Sequence, residues 1–142
     1  MRLDFFLLAD AVAISDGKLY VHGGGVTKLT PPFLPWVQPQ LAVLVRFRID
    51  GPEDMSGKHE FTLTLLGPGG EEVVPALVST LDFASKATEV TSAVEGEERF
   101  GLVSVNLLGV VFSEAGVYEL GVRLDDEPVA RMTLPVVAPP VA

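Results

Sequence analysis

The side chains of this chain that could do chemistry are few and widely spaced. His22 stands directly before Gly23-Gly24-Gly25, where an imidazole could serve as a base or ligand at a point at which glycines let backbone approach a bound molecule. The competing reading is a strand residue ahead of a bulge. The triplet is not a phosphate loop, because no Gly-Lys-Ser/Thr follows and the context is strand rather than strand-to-helix. The only other histidine is His59, and there is no cysteine, so a metal centre would have to be completed by carboxylates. No spacing supplies a recognisable ligand set, and no metal or cofactor is expected. Asp50, Glu53 and Asp54 in one loop and Asp125, Asp126 and Glu127 in another could hold Ca²⁺ if folding brought them together, but acidic residues also suit turns because Asp bonds its own backbone. Ser15-Asp16 reads as a turn, since no Gly-x-Ser-x-Gly elbow exists. No catalytic residue is assigned, and the reading leans against an enzyme.

The most informative stretch is Thr30-Pro31-Pro32-Phe33-Leu34-Pro35-Trp36-Val37-Gln38-Pro39. Its four prolines stiffen a segment that carries the single Trp and a Phe. Aromatic side chains on a preordered loop lose little entropy on binding, which makes Phe33, Leu34 and Trp36 candidate contacts for a protein partner or a second copy. Equally, Phe33 and Trp36 could fold back to cap one end of the core.

Composition limits the partners. Acidic residues outnumber basic ones, 19 to 10, for a net charge of −9, which disfavours phosphate backbones and anionic lipid surfaces; neither nucleic acid nor membrane is expected. The lack of cysteine fits a reducing cytoplasm. Asp4 and Asp10 cut the N-terminal apolar run to about five residues, shorter than the roughly 7–15 of a secretory signal core, so that run is expected to be a strand. No run approaches the roughly 18 apolar residues of a membrane span.

The elements that must position these residues are read from period-two alternation. Apolar runs flank Asp16-Gly17, a hairpin turn signal. Leu41, Val43, Val45, Phe47 and Ile49 alternate with a face carrying Ala42, Leu44, Arg46 and Arg48, and Phe61, Leu63 and Leu65 alternate with threonines; the two runs together predict a hairpin across the loop 50–58. Val73 to Val78 follows the turn Gly67-Pro68-Gly69-Gly70 as a strand held to an edge or bulge by Pro75. Beyond Leu81 the signal weakens, with a helical turn or crossover over 82–87 and a short strand over 89–94. Phe100 to Phe112 is β-rich and bends at Gly109. Val117–Leu124 and Ala130–Leu134 form a terminal hairpin, with Tyr118 placed as the corner tyrosine of Ig-like sandwiches. Strands recurring without a helical stripe predict an all-β fold, a two-sheet antiparallel sandwich of Ig-like type with about seven to nine strands. One domain is expected over residues 1–137, with 138–142 a loose tail.

Asp4 and Asp10 around an apolar run, then Asp16-Gly17-Lys18-Leu19-Tyr20-Val21-x-Gly23-Gly24-Gly25, a proline-rich stretch and the closing Gly116-x-Tyr118-x-Leu120 resemble a family of small bacterial proteins known only as a domain of unknown function. The resemblance implies a single sandwich domain and supplies no activity or site residue. The residues themselves point to a non-catalytic interaction or structural module of the bacterial cytoplasm, associating with a protein partner or with itself. The alternative is a small-ligand or carbohydrate binder, or an unrecognised enzyme, with a pocket near His22 and Gly23–Gly25.

Overall fold

A computed structural model describes residues 1–55, 57–82 and 96–140. Its elements are β1 (Arg2–Ala9), β2 (Ala11–Ser15), β3 (Lys18–His22), β4 (Trp36–Ile49), a single helical turn α1 (Pro52–Met55), β5 (Lys58–Leu66), β6 (Leu77–Asp82), β7 (Arg99–Phe112), β8 (Gly116–Leu124) and β9 (Glu127–Val136). The fold is all-β. Among the described residues three antiparallel sheets form, ordered β1-β4-β7, β2-β3 and β6-β5-β8-β9. No helix among them is long and apolar enough to cross a membrane. The short strand expected over 89–94 and, beyond Asp82 at the end of β6, the helical turn or crossover expected over 82–87 fall outside the described residues.

The main core is built from both larger sheets. Leu41, Val43, Val45 and Phe47 of β4 join Phe61, Leu63 and Leu65 of β5 and Leu120, Val122 and Leu124 of β8 in one buried cluster, as the alternation requires. Pairing departs from expectation. β4 and β5 are not a hairpin: β4 pairs with β1 and β7, while β5 pairs with β6 and β8. The loop after β4 carries the chain from one sheet to the other, and Phe47 meets Phe61 edge-to-face with ring centroids 6.4 Å apart. Alternation reports which residues face the core, and strands in different sheets can satisfy it equally well. The strand expected from Val73 begins instead at Leu77, beyond Pro75, and it is an edge strand.

The terminal hairpin forms as read, through Asp125 and Asp126 at φ of 50° and 65°, the geometry of a two-residue primed turn. Tyr118 is buried, and its hydroxyl donates to the Glu114 carbonyl at 2.8 Å. Its ring packs edge-on against Phe112 at 5.0 Å.

The N-terminal segment differs from the simplest reading of its Asp-Gly turn. Asp16 and Gly17, at φ of 51° and 69°, close a hairpin between β2 and β3, whereas the longer apolar run Arg2–Ala9 pairs with β4. The hairpin lies over the outward face of the three-stranded sheet. Val12 joins Ala9, Ala42 and Leu44 in a second buried cluster, with Leu19, Phe5 and Leu7 packed against it. Residues 41–45 of β4 are therefore buried on both faces, although alternation alone puts Ala42 and Leu44 on the same side as Arg46 and Arg48. Leu44→Ala should then cost about 2–5 kcal/mol, the range for a buried leucine; a urea-melt midpoint unchanged from wild type would show that the hairpin does not seal this face.

Candidate functional site

His22 closes β3 opposite Ala11 and is exposed. Gly23–Gly25 carry the chain back across the end of β1: the Asp10 amide donates to the His22 and Gly23 carbonyls at 3.1 and 3.3 Å, and the Gly25 and Val26 amides both donate to the Leu8 carbonyl at 2.9 Å. Gly23 and Gly25 have φ of +60° and +81°, and a Cβ on Gly23 would lie 2.1 Å from Asp10 Oδ2. Gly24 is restricted differently, by the Val21 side chain at 2.9 Å from a Cβ rather than by its backbone angle. These bonds give the triplet a conformational task.

The two acidic loops do meet at one end of the molecule, and cationic groups of the chain itself pair with Asp50, Asp54 and Asp125 there. The Met1 ammonium lies 2.8 Å from Asp54 and 3.6 Å from Asp50, and Arg2 grips Asp50 through Nε and a terminal nitrogen. His59 stands between the loops, with Nδ1 2.6 Å from Asp125 Oδ2 and Nε2 3.1 Å from the Asp54 carbonyl. The other Asp125 oxygen accepts the Glu60 amide at 2.9 Å. The hydrogen bond to Asp125 raises His59 above its ordinary value of 6.5, and the same bond holds Asp125 low. Asp54 is lowered by the Met1 ammonium and Asp50 by Arg2. Among the described residues no group of three or more His, Asp or Glu is arranged to hold a metal ion.

The proline-rich loop divides. Leu34 and Trp36 are half-buried against the main core; Trp36 starts β4 opposite Phe112 and donates its indole N–H to Gln38 Oε1 at 2.8 Å. Phe33 packs edge-on to Trp36 at 5.3 Å yet stays 59% exposed. Trp36 and Leu34 thus serve the capping role, and Phe33 keeps a free face.

The outward face of the β1-β4-β7 sheet falls into three zones. At one end Arg46 lies over the Phe100 ring, 3.7 Å from its centroid, and pairs with Asp4 at 2.7 Å, while Arg48 pairs with Glu98. The β2-β3 hairpin covers the middle. At the far end both long strands turn over at Pro39 and Gly109: the core-facing positions pass from Leu107 to Val110 in three steps, with Gly109 at φ +64° between them. Val37, Leu108 and Val111 consequently face outward, 54%, 72% and 46% exposed, and Val37 is directly opposite Val111. Val111 also borders a cleft of about 220 Å³ between Val73, Tyr118 and the carboxylates Glu71, Glu72 and Glu114. That volume is below the roughly 300–1,000 Å³ usual for small-molecule sites. Neither His22 nor the glycines line it.

A model of the Family of unknown function (DUF6941) matches residues 4–137. The chain belongs to this family. No curated protein matches it. The expected membership in a family of unknown function therefore stands for this DUF6941 chain, and it adds no chemistry. Sequence reading missed the exposed Val37, Leu108 and Val111 because each residue looks like an ordinary strand position. The only available signal was Gly109 opposite Pro39, two residues that disturb alternation on neighbouring strands.

Two outcomes follow for the DUF6941 domain. Gly23→Ala should lower stability by about 1–3 kcal/mol, the cost of a strained backbone position, read as a shifted denaturation midpoint; an unshifted midpoint would show that the loop relaxes freely. Stability from His59 should be fully present below about pH 6.5 and fall as pH rises through its raised folded value, while the Asp125 share persists above the usual carboxylate range and is lost only as pH falls through its lowered value. Asp125→Asn, which keeps a residue tolerant of positive φ, should shrink the difference between urea melts at about pH 5.5 and about pH 9 that His59 contributes, leaving the smaller share that comes from the Asp54 carbonyl.

Proposed function

We propose that this domain is a non-catalytic interaction module of the bacterial cytoplasm, built as a two-sheet Ig-like sandwich, whose contact surface is the open end of the β1-β4-β7 sheet. Supporting the sandwich reading, the inner faces of the two larger sheets share one core, and Tyr118 makes the corner hydrogen bond. The observation that carries the functional reading is the directly paired Val37 and Val111, both exposed on the outward face, with exposed Leu108 three residues before Val111 on the same strand. Water contact with apolar side chains at neighbouring strand positions is unfavourable, at about 25 cal/mol for each Å², and grouped exposure of this kind marks an interaction surface more often than scattered exposure does.

Phe33 extends the same end of the molecule through its contact with Trp36, while Leu34 and Trp36 hold that loop in place. A protein partner or a second copy fits this surface. Nucleic acid and anionic membrane fit it poorly against a net charge of −9. The absence of cysteine supports a reducing compartment. A ligand-binding reading centred on His22 and Gly23–Gly25 has less support, because hydrogen bonds within the chain already account for the glycine conformations.

The test is capture from a native lysate with wild-type protein and with Val37→Gln/Val111→Gln. Both positions are exposed, so the variant's stability should stay within about 0.5 kcal/mol of wild type. Proteins retained by wild type should be lost or reduced at least fivefold with the variant. Identical retention by the two proteins would remove this surface from the function.

A further inference from the structure

We propose that the partner docking at this end is a basic protein segment, with a lysine or arginine entering the acidic cleft beside Val111 and an adjoining apolar side chain resting on Val37 and Val111. The proposal rests on the interaction reading and names the chemistry of the partner. Val111 belongs to both parts of the surface. It is directly opposite Val37, both side chains being exposed, and it lines the cleft of about 220 Å³ together with Val73, Tyr118, Glu71, Glu72 and Glu114. The cleft is small for an ordinary ligand site. Its lining suits one long side chain, because an aliphatic stem lies along apolar groups such as Val73 and Val111 while its charged head stays near water.

Charge fixes the sign of that side chain. Glu71, Glu72 and Glu114 are exposed, and among the described residues no cation of the chain forms a salt bridge with any of them. Elsewhere the chain pairs its carboxylates: Asp4 with Arg46, Asp50 with Arg2, Asp54 with the Met1 ammonium, Glu98 with Arg48 and Glu119 with Arg131. Three like charges around one cleft repel one another and attract a cation. A partner with an apolar side chain but no cation would cover Val37 and Val111 and leave that repulsion in place.

The described chain approaches and leaves residues 83–95 at the opposite end of the sheets. Asp82, before them, is opposite Lys58, and Arg99, shortly after them, is opposite Ile49. Glu72 bridges to Leu66, at the other end of β5 from Lys58, and Val111 is near the other end of β7 from Arg99. Beyond β9, Val137 bonds to Leu29, on the side of β8 away from β5.

Selection of a displayed random peptide library on the immobilised full chain is the test. Retained peptides should be enriched in lysine or arginine next to leucine, isoleucine, valine or phenylalanine. A synthetic peptide from that pool should bind Glu72→Gln/Glu114→Gln about fivefold more weakly than wild type, the upper worth of an exposed ion pair, with the thermal melt unchanged. Glu60→Gln/Glu127→Gln removes the same charge from exposed positions at the other end and should bind the peptide like wild type. Equal loss in that control would show that net charge holds the peptide, and overturns the proposal. If the cleft variant does not fold, glutamine in place of the peptide's basic residue tests the same contact on wild type, and unchanged affinity overturns it. A pool without basic residues overturns it too, as does a library from which nothing is retained above the bare matrix. An apolar pool whose binding is lost only with Val37→Gln/Val111→Gln would overturn the basic partner while leaving protein docking at this surface intact.

Discussion

Burial of β4 on both faces is the constraint from which the rest of this structure follows. Leu41, Val43, Val45 and Phe47 need the β5-β8 side as their apolar partner, and Ala42 and Leu44 need a separate cover. A single buried leucine side chain is worth about 1.5–3 kcal/mol, so leaving Leu44 in water would forfeit a sizeable part of a typical domain's net stability of 5–15 kcal/mol. The β2-β3 hairpin is that cover. It can sit there because Asp16 and Gly17 accept the positive φ angles of a tight turn, and because Gly23 and Gly25 let the chain leave β3 and bond to the Leu8 carbonyl. The glycines that looked like a ligand cradle are thus tied to the packing of a core strand.

The hairpin is only five residues on each side, and β4 and β7 are much longer than it. What lies beyond its reach on the outward face is decided by side-chain type. Toward one end Arg46 and Arg48 need no cover, because their charges pair with Asp4 and Glu98 and Arg46 stacks on Phe100. Toward the other end the strands turn over at Pro39 and Gly109 and present Val37, Leu108 and Val111 to solvent. The same geometric mismatch that gives one end a solvated ionic surface leaves the other apolar, next to the carboxylates Glu71, Glu72 and Glu114.

Electrostatics at the opposite corner serves cohesion. Of the six carboxylates that could have formed a Ca²⁺ site, Asp54, Asp50 and Asp125 are bonded to Met1, Arg2 and His59, and His59 ties the turn between β8 and β9 to α1. With both imidazole nitrogens facing acceptors, the protonated ring is the form this corner favours.

The sequence by itself determined the class of fold and the facing of most strands. Period two in β5 and β8 follows from the pleat, and one buried face leaves a clear record in side-chain type. The Asp16-Gly17 turn, the terminal hairpin and the bond from the Tyr118 hydroxyl to nearby backbone were legible because each depends on local backbone chemistry. Tertiary structure alone decided which strands pair, since β4 and β5 carry the same inward pattern yet lie in different sheets. It also decided that Ala42 and Leu44 are buried, because the covering hairpin comes from some thirty residues upstream and leaves no local mark. The candidate surface belongs to the same category: Val37 and Val111 become neighbours only through the β4-β7 register, and they and Leu108 become exposed only because both strands turn over together at Pro39 and Gly109. Alternation encodes which side of a strand is apolar, whereas contact between distant strands depends on how the whole chain closes.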